Sequence, residues 1–251
     1  MSPGSLGAWA RRTAIRAASA LRPQRFPAAL TYHAVADEGP SFRVGRRAFL
    51  AQMDAIRRAP LVPLEAALEP GLLRDDAIAV TFDDGYLDNY TFAIPACVER
   101  GIPVTLFVAW EPLGSTAFRG GLPMMTRQHV RELAALPGVT IGSHTLTHPK
   151  LPRLSPEAQR AELVGSRAVL EDWLGRRVDC FCYPFGHHDD GTVALTRAAG
   201  YKLAVTTKVG SLRASDPFRI PRVPVNLFSD PVFGATMTRG YLGYARFFGK
   251  T

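Results

Sequence analysis

Two neighbouring carboxylates, Asp83 and Asp84, close the apolar run 78–82 (IAVTF) and stand directly before Gly85. Adjacent carboxylates repel, so the pair is stable only where a cation, a proton or hydrogen-bond donors compensate it. Further along, His144 and His148 are four positions apart in SHTLTHPKL, a spacing that brings two imidazoles to one side of a single helical turn. Pro149 disfavours helix at His148, so a tight irregular turn is expected to do the same job. Two neutral imidazoles and one carboxylate make a good site for Zn(II) or a related divalent metal, with remaining positions open to water and substrate. Asp-Asp-Gly alone also reads as a plain turn; combined with the histidine pair, the metal reading is the stronger one.

Other candidates sit close to the same pattern. His33 ends the run AALTYHAV, and His187 and His188 lie in the loop PFGHHDDG. Trp110 ends an apolar run and could stack on the apolar face of a sugar ring, although core packing is the commoner role of a lone Trp. Cys180 and Cys182 alternate, share a face and read as packing, and with Cys97 they form neither a disulfide framework nor a CxxC metal motif.

The elements that must position these residues follow from periodicity and punctuation. Strands are expected at 28–35, 78–82, 104–110, 139–142, 178–183, 203–207 and 219–225. Helices are expected at 47–59, 86–100 (kinked or divided by Pro95), 126–136 and 191–199. The clearest helix signal runs from the cap Ser155 and first-turn Pro156 to about Leu174, before Gly175. Strands alternating with helices imply a largely parallel sheet, and about seven such units would close a barrel with chemistry at the C-terminal strand ends. His33, Asp83-Asp84, His144/His148 and the PFGHHDD loop all fall at such ends.

Composition narrows the class. A chain of 251 residues that is 47% hydrophobic can bury a sizeable core, and no repeat or low-complexity linker divides it, so 28–251 reads as one domain. The net charge of +8 comes from arginine, since only Lys150, Lys202, Lys208 and Lys250 are lysines. No interleaved basic and aromatic strip points to nucleic acid. Residues 1–27 carry five arginines and no acid; a basic amphipathic helix resting on an anionic membrane is one reading, a loosely ordered or docked terminus the other. No secretory or membrane-spanning segment is recognisable, so a location in the cytoplasm or at the inner membrane face is expected, and a periplasmic one if Met1 is not the true start.

TFDDG at 81–85, HTLTH at 144–148 and YPFG at 183–186 resemble the ordered motifs of the polysaccharide deacetylases, carbohydrate esterase family 4 with the NodB-homology domain. The resemblance covers roughly residues 28–226. It implies an α/β fold, a distorted (β/α)7-type barrel, and an N-acetylated sugar polymer as substrate. Carried over, Asp84, His144 and His148 match the metal ligands, Asp83 the general base, and the backbone N–H of Phe185 an oxyanion donor. Tyr183, Pro184 and His187 would border the substrate.

Two departures stand out. Familiar members carry an arginine in the third motif where this chain has Cys182; Arg222 in RIPRV could orient the base instead, or lie on the surface. They also carry a late histidine as general acid, absent from 223–226 here. The early TYHAV run is similar to the exopolysaccharide-associated branch, which makes His33 the candidate acid. The leading expectation is a metal-dependent N-deacetylase of amino sugars in a glycan or glycan precursor. The alternatives are a deacylase or deformylase of a lipid-linked sugar at the membrane face, and a glycan-binding module with a decayed site.

Overall fold

The computed structural model describes residues 26–116 and 118–225; the expectation of a basic N-terminal helix therefore falls almost wholly outside the described residues. Seven strands run parallel: β1 (Ala28–Tyr32), β2 (Ile78–Phe82), β3 (Val104–Val108), β4 (Val139–Ser143), β5 (Cys180–Cys182), β6 (Leu203–Val205) and β7 (Val223–Pro224). The helices are α1 (Arg46–Ile56), α2 (Ile94–Val98), α3 (Arg127–Ala134), α4 (Pro156–Leu174) and α5 (Asp190–Ala198). Strand order is β6-β5-β4-β3-β2-β1-β7. The segment leading into β7 reaches across to β6, with Ile220 bridged to Val205 and Arg222 N–H donating to the Lys208 carbonyl. One irregular run thus pairs first with β6 and then with β1, which makes the sheet a distorted (β/α)7 barrel.

Alternation along the strands sorts two cores. Leu30, Tyr32, Val80, Phe82, Leu106, Val108, Ile141 and Phe181 face outward into the layer under the helices. Ala29, Ala79, Phe107, Cys180, Cys182, Leu203 and Val205 face inward. Small inner residues leave room for two large ones, Phe107 and Arg222, whose guanidinium lies 5.6 Å from the Phe107 ring centre. A Cβ on Gly142 would meet the Phe107 ring at 2.5 Å. Gly142→Ala is therefore expected to cost about 1–3 kcal/mol through overpacking, read as a lower melting temperature, and to disturb the floor on which Arg222 rests.

The helix expected at 86–100 is not uniform. Asn89–Ala93 forms a π-helical turn in which Ile94 N–H donates to the Asn89 carbonyl, and α2 follows with Pro95 in its first turn. A widened turn accommodates the missing N–H of Pro95 without breaking the helix. Expected strands 104–110, 178–183 and 219–225 are shorter in the structure, because their ends turn away to carry side chains. Helix α4 has the expected ends: Ser155 caps Ala158 N–H, Pro156 sits in the first turn, and Gly175 is left-handed at φ 65°. Among the described residues no helix is long and apolar enough to cross a membrane.

Candidate active site

Three turns at the C-terminal strand ends build the site, and each is held in an unusual backbone conformation. Among the described residues, Asp84, Thr145, His148 and Phe185 are the non-glycine residues with positive φ, at 72°, 73°, 63° and 59°. Such conformations cost about 1–3 kcal/mol each and persist where the surroundings over-determine them. Here they do. Gly85, itself at φ 92°, completes the turn after β2, and its carbonyl accepts from Met125 N–H at 3.0 Å. Glu162 of α4 accepts from Leu146 N–H (2.8 Å), Thr147 N–H (3.0 Å) and the Thr147 hydroxyl (2.6 Å), while His148 N–H donates to Thr145 Oγ1 at 2.9 Å. The irregular turn expected between the two histidines is thus stapled to α4.

Asp84, His144 and His148 converge. Asp84 Oδ1 is 3.2 Å from His148 Nε2 and 3.5 Å from His144 Nε2, and the two Nε2 atoms are 3.2 Å apart. For donor atoms about 2.0–2.1 Å from a tetrahedral ion, the ligand-to-ligand edge is about 3.3–3.4 Å, so this triangle has the size of one coordination face. His144 Nδ1 donates to the Cys182 carbonyl at 2.7 Å, which leaves the Nε2 lone pair facing the other two groups. Both carboxylate oxygens of Asp84 are buried without a hydrogen-bond donor, because the imidazole approaches lack hydrogen-bond geometry. A buried carboxylate with no donor is what a cation site requires. The residues present therefore fit a divalent metal. Burial alone would raise Asp84; the two imidazoles outweigh it and hold the carboxyl well below the usual carboxylate range. Burial keeps His148 below its ordinary value and so neutral.

Asp83, Cys182 and His144 form a second cluster of donor-bearing groups, but it is a poor cation site. Asp83 is already compensated, and burial pushes the Cys182 thiol up, away from the thiolate a metal needs.

Arg222 supplies that compensation. It is 1% exposed, and all five of its N–H donors are used: Asp83 Oδ1 and Oδ2 at 2.7 Å each, Thr81 Oγ1 at 2.9 Å, the Thr206 carbonyl at 3.1 Å and Cys182 Sγ at 3.1 Å. The surface alternative for Arg222 is thereby set aside. Burial would raise Asp83, but the Arg222 guanidinium outweighs it and lowers the carboxyl. His33, on the turn after β1, places Nε2 3.9 Å from Asp83 Oδ2 and is a quarter exposed.

The expected contacts of Tyr183, Pro184 and Trp110 are corrected. Tyr183 is fully buried, donates its hydroxyl to the Phe218 carbonyl at 3.1 Å and stacks on His188, so it supports the YPFG turn from beneath; Pro184 is buried with it. Trp110 packs edge-on to Trp173 at 6.3 Å under Arg127, on the side of α3 and α4, which is packing and not a sugar platform. His187 is exposed with its ring 6.0 Å from Phe185. His129 completes the capping box of α3 with Thr126.

Sequence reasoning assigned Phe185 only a backbone role. Its ring is exposed and meets His148 edge-on at 4.7 Å. Arg119 was missed altogether, although its Nη1 lies 3.7 Å from Asp84 Oδ2. It stands in a glycine-rich loop with no periodic signal.

The family profile described as polysaccharide deacetylase matches residues 72–204. "Putative polysaccharide deacetylase YxkH" of Bacillus subtilis (strain 168) is 30% identical over 225 residues, spanning 85% of this chain and 76% of that protein. The deacetylase PplD of Streptococcus pyogenes, solved in complex with acetate, superposes with a TM-score of 0.68 at 26% identity, covering 80% of this chain and 92% of that one. IcaB from Ammonifex degensii gives 0.75 at 24% identity over 86% and 97%, a likeness of fold. With the motifs, the barrel and these matches in agreement, the chain belongs to the polysaccharide deacetylase family, carbohydrate esterase family 4 with the NodB-homology fold.

Proposed function

We propose that the protein is a metal-dependent hydrolase that removes N-acetyl groups from amino sugars of a glycan. The observation that carries this reading is the division of labour between adjacent acids: Asp84 faces two imidazoles with no donor on either oxygen, while Asp83 is gripped by Arg222. Asp84, His144 and His148 would hold a divalent metal, and this donor set suits Zn(II). Such an ion acidifies water and polarises an acyl oxygen when bound.

The remaining work falls to the chain's own groups. Arg222 fixes both Asp83 oxygens in one plane, and Asp83, ionised at neutral pH, takes the proton from the attacking water. The water oxygen bonds to the acetyl carbon, and the charge developing on the acyl oxygen is met by the Phe185 backbone N–H, offered from a left-handed turn. As the C–N bond breaks, His33 donates a proton to the departing amine, giving acetate and a free amino sugar. His187 and the Phe185 ring border the substrate.

Acetate release from a chitooligosaccharide or poly-N-acetylglucosamine fragment tests the reading. Activity is expected to vanish with a chelator and return with Zn(II). Since imidazole and carboxylate bind an ion only when unprotonated, metal affinity should also fall as pH is lowered. A metal-loaded protein that releases acetate from no amino sugar would favour a glycan-binding module instead.

A further inference from the structure

The cleft wall beside the histidines carries two cations that the deacetylation chemistry does not use. Arg119 lies over the Phe185 ring at 4.4 Å and also 6.0 Å from the Phe42 ring centre. Lys150, two residues after His148, holds Nζ 5.3 Å from the same Phe185 ring. The loop bearing Arg119 is built rather than loose. Tyr86, fully buried, donates its hydroxyl to the Arg119 carbonyl at 3.1 Å. Gly120 approaches Pro40 so closely that a Cβ would stand 2.5 Å from the proline ring.

Arg222 and Arg119 differ sharply in how their donors are spent. Among the described residues the Arg119 guanidinium donates no hydrogen bond, its only acidic neighbour being Asp84 at 3.7 Å, and Lys150 has no acid within 4.0 Å. Stacking on Phe185 occupies the face of the guanidinium and leaves its N–H edge free. Charge makes the same point. Before any metal binds, Asp83 is paired with Arg222 and Asp84 lies 3.7 Å from Arg119, while Lys150 adds a further cation at the Phe185 ring. A divalent metal increases the excess. A neutral acetamido sugar would leave it uncompensated.

We infer that this rim is an anion-binding subsite, and that the substrate carries a phosphate ester or a carboxylate beside the acetamido sugar, held by Arg119 and Lys150 across the Phe185 ring. This rests on the deacetylase reading for the sugar, but not for the anion. Both groups are planar-edge or tetrahedral oxyanions of the kind arginine recognises.

Three probes of matched length separate the possibilities: chitotetraose, chitotetraose 1-phosphate, and a hyaluronan tetrasaccharide in which uronates alternate with N-acetylglucosamine. Binding is measured by calorimetry to the metal-loaded Asp83→Asn protein, and kcat/KM for acetate release on the wild type. At least one anionic probe is expected to bind ten-fold or more tightly than chitotetraose at low salt, and that preference should shrink at least ten-fold in Arg119→Gln/Lys150→Gln and weaken with added salt. Which probe wins identifies phosphate or carboxylate. Equal affinity for all three, or a preference retained by the double variant, overturns the inference. Acetate released from chitotetraose without anion preference would remove the subsite and leave the deacetylase reading standing. An Arg119- and Lys150-dependent preference with no acetate from any probe would do the reverse.

Discussion

Asparagine at position 83 is expected to leave the metal bound and to slow acetate release by about 100- to 10,000-fold, whereas asparagine at position 84 should remove metal and activity together. The asymmetry follows from the two environments. Asp84 offers both oxygens, without donors, to a space shared with two imidazole nitrogens. Asp83 directs both oxygens at one guanidinium, and an amide there would remove the proposed base but none of the proposed metal ligands. Metal content of the purified variants, measured beside their turnover, separates the roles. Equal metal loss in both would sink the assignment. Asp83→Asn also leaves Arg222 buried opposite a neutral group, so its melting temperature should be recorded with its rate.

Replacing Arg222 by Met should be the most damaging change to stability. Removing one member of a buried ion pair costs about 3–5 kcal/mol. At about 2–4 °C per kcal/mol for a domain of this size, the melting temperature should fall by roughly 6–20 °C. The pH dependence should change in a defined direction. In the wild type the Asp83 carboxyl is held below its ordinary value, so its stabilising contribution is present above the unfolded carboxylate pKa and lost only as pH falls through the lower folded one. Without the guanidinium, burial prevails and the carboxyl rises. Acid unfolding and the acid limb of the rate–pH profile should then both move toward neutrality. Arg222→Lys, which keeps a charge but not the two-pronged grip, should restore part of the stability and little of the rate. An acid limb unmoved in Arg222→Met would dissociate Arg222 from the base.

How much of this was legible beforehand depended on whether a signal was local. The strand ending in Asp83-Asp84 and the helix from Ser155 to Gly175 announce themselves by caps, prolines and periodicity, and the structure has them where expected. His144 and His148 converge because four residues of turn suffice to bring them together. Arg222 was ambiguous because alternation shows which face a residue is on but not what it meets there; only the barrel's closure puts it under Asp83. Tyr183 and Pro184 were misplaced for a related reason. Their motif borders the site, yet the turn at Phe185 sends the neighbouring side chains downward. The π-helical turn at Asn89–Ala93 stands where a kink or division was expected, because Pro95 marks a disturbance without specifying how it is absorbed.

The pairing of β1 with β7, Leu30 opposite Val223 and Thr31 opposite Pro224, bears on the order in which the molecule can be made. His33 follows the first strand and Arg222 precedes the last, and both reach Asp83 near the other side of the same seam. Without the run that bears Arg222, the Asp83 carboxylate lacks its guanidinium partner. Closing a loop of this length carries an entropic cost before its contacts reward it. The Asp83–Arg222 pair thus exists only where the first and last strands of the barrel have met.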